Sequence, residues 1–192
     1  MMFNHIHIST PILETANFDG KHFYSINGEK YPSITTILHS FPNPNIEIWK
    51  SKTPNWKDIQ EESFMVGTKL HSIIEHYLKN YSQLFPLEDK LYNKLFNTLK
   101  PELDKFDNIH AQETRLYHKE LKVAGTVDCI CDFNGVLSVC DFKNSRKPKK
   151  DWMFTKSGYY EQVTSYALMY EYCTGVKIDQ GVILSANWDG ST

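Results

Sequence analysis

The 192 residues suffice for one domain with a sizeable core. At 41% hydrophobic and 23% charged, with a net charge of −2, the composition excludes a disordered chain and a globally basic nucleic-acid coat. Any grip on a polyanion must come from a local patch.

The chain opens with no basic-then-apolar leader, and no apolar run reaches membrane-spanning length. A cytoplasmic protein that does not engage membranes is the expectation. Residues 1–20 lack clear periodicity and read as an irregular or extended arm. KHFYSINGEKYPS carries Asn27-Gly28 between aromatic-rich runs, a hairpin signal because a type I′ turn needs positive φ twice. SITTILHSF follows as a short element, Pro42 and Pro44 interrupt, and IEIWKSK reads as a brief helix. From about Asp58 to Asn80, Val66, Leu70, Ile73, Ile74, Tyr77 and Leu78 recur at helical steps and form one apolar stripe. Gly67 inside it signals close approach of another segment. A second helix is predicted from about Leu87 to Leu99, with Pro101 stopping it.

AQETRLYHK alternates as a strand. VAGTVDCICDF and VLSVCDFK then flank Asn134-Gly135, a second hairpin signal. KNSRKPKKDW reads as a basic loop, Gly158 to Cys173 as a helix, and GVILSAN as a last strand. The order predicts an α/β (α+β) fold, a central mixed sheet with helices on its faces. The division expected is a single domain, with an arm, hairpin and short helix over 1–57 and a core over 58–192. Cys129, Cys131, Cys140 and Cys173 have no zinc-ligand spacing and read as reduced core thiols.

Period-two geometry puts Leu137, Val139, Asp141 and Lys143 on one strand face and Phe142 on the other. Asp128 lies on the partner strand near the same end, so two carboxylates and an ammonium converge. A strand-end salt bridge would be the plain explanation. The positive surplus of Arg146, Lys147, Lys149, Lys150 and Lys156 beside it favours a phosphodiester partner instead. His71 and Glu75, at i and i+4, flank the apolar stripe as a ligand or supporting pair. Gln162 and Tyr166 share a face of the late helix.

GTKLHSIIE, GTVD, DFK and QVTSY, in that order over residues 67–166, resemble the RecB-like branch of the PD-(D/E)XK nuclease superfamily. With YPSITTIL and Trp49, the likeness extends to the group of mitochondrial genome maintenance exonucleases and their bacteriophage relatives. The resemblance implies a restriction-endonuclease-like core. It implies Mg²⁺ or Mn²⁺ held by Asp128, Asp141, the Phe142 carbonyl and His71, with Lys143 orienting or activating water. Glu113 would be an auxiliary group, and Gln162 and Tyr166 would contact DNA or brace the lysine. Branches with an iron–sulfur cluster carry one early and three late cysteines; this chain departs from that, so no cluster is expected. Relatives continue past the last strand, which implies either a minimal version or a portion beyond Thr192.

The expected activity is metal-dependent DNA exonuclease action on single strands or free ends, by a monomer. Phe23, Tyr24, Tyr31, Trp49 and Trp56 are candidate stacking platforms, or core. Two alternatives stand beside this: an endonuclease such as a dimeric junction resolvase, and a DNA-binding or assembly module that does not cut. Two acids facing a phosphate without metal argue against the last.

Overall fold

The computed structural model describes residues 2–18, 21–81 and 89–191. A small antiparallel sheet joins β1 (Glu14–Phe18), β2 (Lys21–Ile26) and β3 (Glu29–Pro32) in that order. Asn27 (φ 50°) and Gly28 (φ 81°) make its turn, the double positive φ that the dipeptide predicts. β1 lies in the segment expected to be an irregular or extended arm. Glu14 to Asn17 are exposed, so no buried face imposes alternation on them.

Ser33 caps α1 (Ile34–Ser40), its Oγ accepting the Thr36 N–H at 3.0 Å. α2 (Pro44–Lys52) starts on a proline, whose missing N–H costs nothing there. α3 (Trp56–Leu78) buries Leu70, Ile73, Ile74 and Leu78 completely, the stripe read from spacing. α4 (Lys90–Leu103) runs through Pro101 instead of ending at it. The proline falls in the last turn, where it removes one intrahelical bond, and burial of Leu103 offsets that loss. The expected start of this helix, at Leu87 and Glu88, lies outside the described residues.

The main sheet has the order β4 (Phe106–His118), β5 (Val123–Phe133), β6 (Val136–Ser145), β7 (Gln180–Asn187). The first three strands are antiparallel, and Asn134 (φ 52°) with Gly135 (φ 79°) makes the β5–β6 turn. β7 runs parallel to β6, reached through α5 (Asp151–Lys156) and α6 (Tyr159–Thr174). α5 occupies the end of the stretch expected to be loop. α3 and α4 cover one face through Phe96, Leu99, Cys129, Cys140 and Phe142. α6 covers the other through Val139, Val163, Tyr166, Met169 and Tyr170. This is the mixed sheet with helices on its faces that the sequence predicts. The four cysteines are free thiols; Cys129, Cys131 and Cys140 are buried on the α3 side, with Cys131 Sγ 3.7 Å from Cys140 Sγ.

One break in the ladder positions the acidic residues. β5 and β6 pair from Phe133↔Val136 only as far as Cys129↔Cys140. Beyond that β5 stays with β4 out to Val123, while β6 stays with β7 out to Ser145. The strands part into a fork, and Asp128 and Asp141 are the first residues past the last rung.

Candidate active site

The α3 side of the fork depends on a glycine. A Cβ on Gly67 would stand 2.8 Å from Asn144 Nδ2, so the helix crosses β6 at a depth that a side chain would obstruct. Asn144 is itself held, its Oδ1 accepting Trp188 Nε1–H at 3.0 Å. One turn after Gly67, His71 lies over Phe142 with Nε2 2.9 Å from its carbonyl oxygen. A carbonyl only accepts, so Nε2 carries the hydrogen and Nδ1 faces outward. That nitrogen is 3.7 Å from both Glu113 Oε1 and Asp128 Oδ1. Asp128 Oδ2 accepts the Phe142 N–H at 2.7 Å. The two backbone groups of Phe142 thus orient an imidazole and a carboxylate together.

Glu113 joins this cluster with φ 45°, between the paired residues Gln112↔Cys129 and Thr114↔Val127. A non-glycine in the left-handed region is uncommon and costs energy, and such outliers gather at sites. Burial alone would lower the His71 pKa. The charges of Asp128 and Glu113 and the Phe142 carbonyl outweigh it and raise the pKa to about 9. Burial pushes the Asp128 carboxyl up, against the pull of His71, Lys143 and the Phe142 N–H.

On the α6 side, Asp141 is completely buried, and neither carboxylate oxygen has a hydrogen bond. Lys143 Nζ is 2.6 Å from its Oδ2, an ion pair whose alignment falls short of a hydrogen bond. Burial and the neighbouring Asp128 raise the Asp141 pKa to about 6, with Lys143 pulling it back. Burial also works against the Lys143 charge, but Asp141 and Asp128 raise its pKa, so the ammonium persists. Gln162 Oε1 accepts from Lys143 at 3.2 Å, and Gln162 Nε2 donates to the Tyr166 hydroxyl at 3.3 Å. Tyr166 packs where Gly125 has no side chain: a Cβ there would be 2.7 Å from the tyrosine Cε1. Burial pushes the Tyr166 phenol far up, so it stays neutral.

The structure therefore brings His71, Glu113, Asp128, Asp141, Phe142, Lys143, Gln162 and Tyr166 together. Three details differ from expectation. The Phe142 carbonyl serves His71, leaving it an orienting group in this state. Glu75 turns to Lys79 and makes no pair with His71. Of the basic residues, Arg146 pairs with Glu62 and lies 4.4 Å over the Trp188 ring, and Lys149 donates to the Tyr159 hydroxyl; Lys147 and Lys150 are exposed. Tyr24 and Tyr31 are core, each 2% exposed, while Trp49 is 40% exposed. Tyr159, Asn144 and Trp188 escaped the sequence reading. The Tyr159 ring lies 5.0 Å from Lys143 Nζ and 4.5 Å from Lys149 Nζ. Its place next to Gly158 at the helix start, three residues before Gln162, was the available signal.

The donor set fits a hard divalent cation. His71, Glu113 and Asp128 offer one nitrogen and two oxygens within 4.8 Å of one another. Beside them Asp141 holds two buried oxygens that lack hydrogen bonds, the condition a cation would relieve. The carboxylate oxygens are the hard donors such a cation takes, and Cys129, Cys131 and Cys140 face the α3-side core.

Fold and site together define an α/β protein with a carboxylate–lysine centre in a forked sheet. No protein-family model matches the chain. It is similar to mitochondrial genome maintenance exonuclease 1 of Mus musculus, 26% identical over 174 residues, and to that of Homo sapiens, 25% over 175 residues. Each match takes in 83% of this chain but only 51% and 50% of the relatives, so the chain spans about half their length. No helix among the described residues is long and apolar enough to cross a membrane.

Proposed function

We propose that the chain is a divalent-metal-dependent deoxyribonuclease of the exonuclease type, of the RecB-like PD-(D/E)XK branch, acting on single-stranded DNA or free ends. The observation that carries this is the buried Asp141, without hydrogen bonds and paired to a braced Lys143, beside the His71–Glu113–Asp128 cluster. A salt-bridged strand end has no use for so many desolvated acids, whose burial is costly unless a cation compensates it. Similarity to proteins named exonucleases supports the same reading.

His71, Asp128 and Asp141 would hold Mg²⁺ or Mn²⁺, with Glu113 beside them. A cation bound there supplies a Lewis acid that offsets charge on the phosphate and lowers the pKa of water. The chain's own residues do the rest. Lys143 orients the attacking water or stabilises developing negative charge, held at its post by Gln162 and Tyr166. Phe142 keeps His71 and Asp128 aligned. The exposed Lys147 and Lys150 meet the substrate's phosphates. A single monomeric nuclease domain in the cytoplasm completes the proposal; the relatives' names tie those proteins to the mitochondrial genome.

The test is a time course on 5′- and 3′-labelled single-stranded and duplex DNA with Mg²⁺, Mn²⁺ or EDTA, for wild type and Asp141→Asn. Mononucleotides or a ladder from one end, lost in EDTA and in the variant, support the proposal and give the polarity. Internal cuts would make the chain an endonuclease. Intact DNA in every lane, with DNA still bound, would leave a binding module.

A further inference from the structure

The chain has two arginines against nineteen lysines. Arg146 is spent within the structure, on Glu62 and Trp188. Arg115 is different. It is exposed, and among the described residues no carboxylate lies within ion-pair distance of it. It does not swing freely, because Nη1 donates to the Leu13 carbonyl at 2.6 Å. Its other N–H groups make no hydrogen bond among the described residues.

Its position matters. Arg115 lies two residues along β4 from Glu113, roughly 7 Å of extended strand. Its Cα partner on β5 is Thr126, itself two residues before Asp128. Thr126 is half-buried, and its hydroxyl is bonded to the Tyr24 hydroxyl at 2.9 Å, a contact that ties the N-terminal sheet to this wall of the fork. Guanidinium, hydroxyl pair and acidic cluster are thus neighbours along β4 and β5.

We infer that Arg115, with the Thr126 hydroxyl, forms a second phosphate subsite on the β4–β5 wall, taking the DNA phosphodiester next to the one at the acidic cluster. A guanidinium presents several donors in one plane and matches phosphate oxygens in pairs, which an ammonium cannot do. That accounts for an arginine here in a chain that otherwise uses lysine. The distance along the strand is comparable to one nucleotide step of an extended single strand. The subsite thus selects a substrate with a charged neighbour beside the scissile bond, and it seats that bond at the acids. This inference rests on the nuclease reading of the fork.

The experiment is an anisotropy titration of a labelled single-stranded oligonucleotide, in Mg²⁺, on an Asp141→Asn parent that does not cut. The parent is compared with Arg115→Gln and Arg115→Lys added to it. Glutamine removes the charge, and unchanged thermal melting checks the fold. Arg115→Gln should bind about tenfold more weakly. Its salt slope should fall by about 0.7, one phosphate's worth on a single strand. Arg115→Lys should regain the slope but not the affinity. A scan of single neutral methylphosphonate linkages should find one position that weakens the parent and leaves Arg115→Gln unaffected. The same slope, or the same methylphosphonate profile, in parent and Arg115→Gln would overturn the subsite while leaving the nuclease reading intact. A parent that binds no DNA would overturn both.

Discussion

At Gly125 the absence of a side chain decides whether Tyr166, and through it Gln162 and Lys143, can stand where they do. Gly125→Ala would force a Cβ to 2.7 Å from a buried aromatic ring and 3.3 Å from Ile34 Cγ2. We expect a loss of about 1–3 kcal/mol in denaturant unfolding, with activity reduced far more than stability explains. Gly135→Ala is the control, with open space around its Cβ but φ at +79°. It should cost roughly 1 kcal/mol and leave activity unchanged. Equal activity losses in both variants would mean that Tyr166 plays no part in the site. Asp128, Asp141 and Lys143 were legible in the sequence because strand alternation fixes which side chains share a face. Arg115, Asn144 and Trp188 were not. Trp188 meets Asn144 across 44 residues of chain, and no local pattern carries such a contact.

Among the elements, the segment from Arg146 to Lys150 divides by what each side chain already holds. Lys147 and Lys150 are exposed, whereas Arg146 and Lys149 are engaged with Glu62 and Tyr159. Neutralising Lys147 and Lys150 together should lower the salt slope of single-strand binding by about 1.4, if each meets one phosphate. Neutralising Lys149 alone should change the slope less and the catalytic rate more, since its loss frees the ring over Lys143. Binding titrations across a salt series separate the two. Long, strongly periodic elements such as α3 were legible from spacing, and both hairpins from their Asn-Gly turns. β1 was hidden because an exposed strand carries no apolar alternation, and α5 because a helix of six residues has too few turns to show a period.

For the molecule as a whole, the fork concentrates buried acids that the metal-free protein compensates only in part. A cation that binds the folded state alone therefore stabilises it by mass action. At a hundred times the dissociation constant this amounts to about 2.7 kcal/mol. For a chain of this size the melting temperature should rise by roughly 5–11 °C with Mg²⁺ or Mn²⁺. The rise should vanish in Asp128→Asn and be reversed by EDTA in wild type; an equal rise in that variant would put the cation elsewhere. The fold class and the converging acids were readable from the chain. The fork was not, because strand separation depends on how β4 and β7 each draw a partner away.

A two-stranded ladder behaves like a zipper, closing until something jams it. After Cys129↔Cys140 the next teeth would be Asp128 against Asp141, then Val127 against Phe142. Two like charges directly opposite are a poor rung. The Phe142 N–H that a closed zipper would offer to Val127 is instead taken by the Asp128 carboxylate. The acid that awaits a cation is thus also the jam that keeps its own cleft from closing. Asparagine at 128 keeps an acceptor oxygen and should leave the strands apart. Asp128→Ala releases the amide, and nuclear Overhauser contacts between the α-protons of residues 128 and 141 should then appear, as the strands close over the place where chemistry would occur.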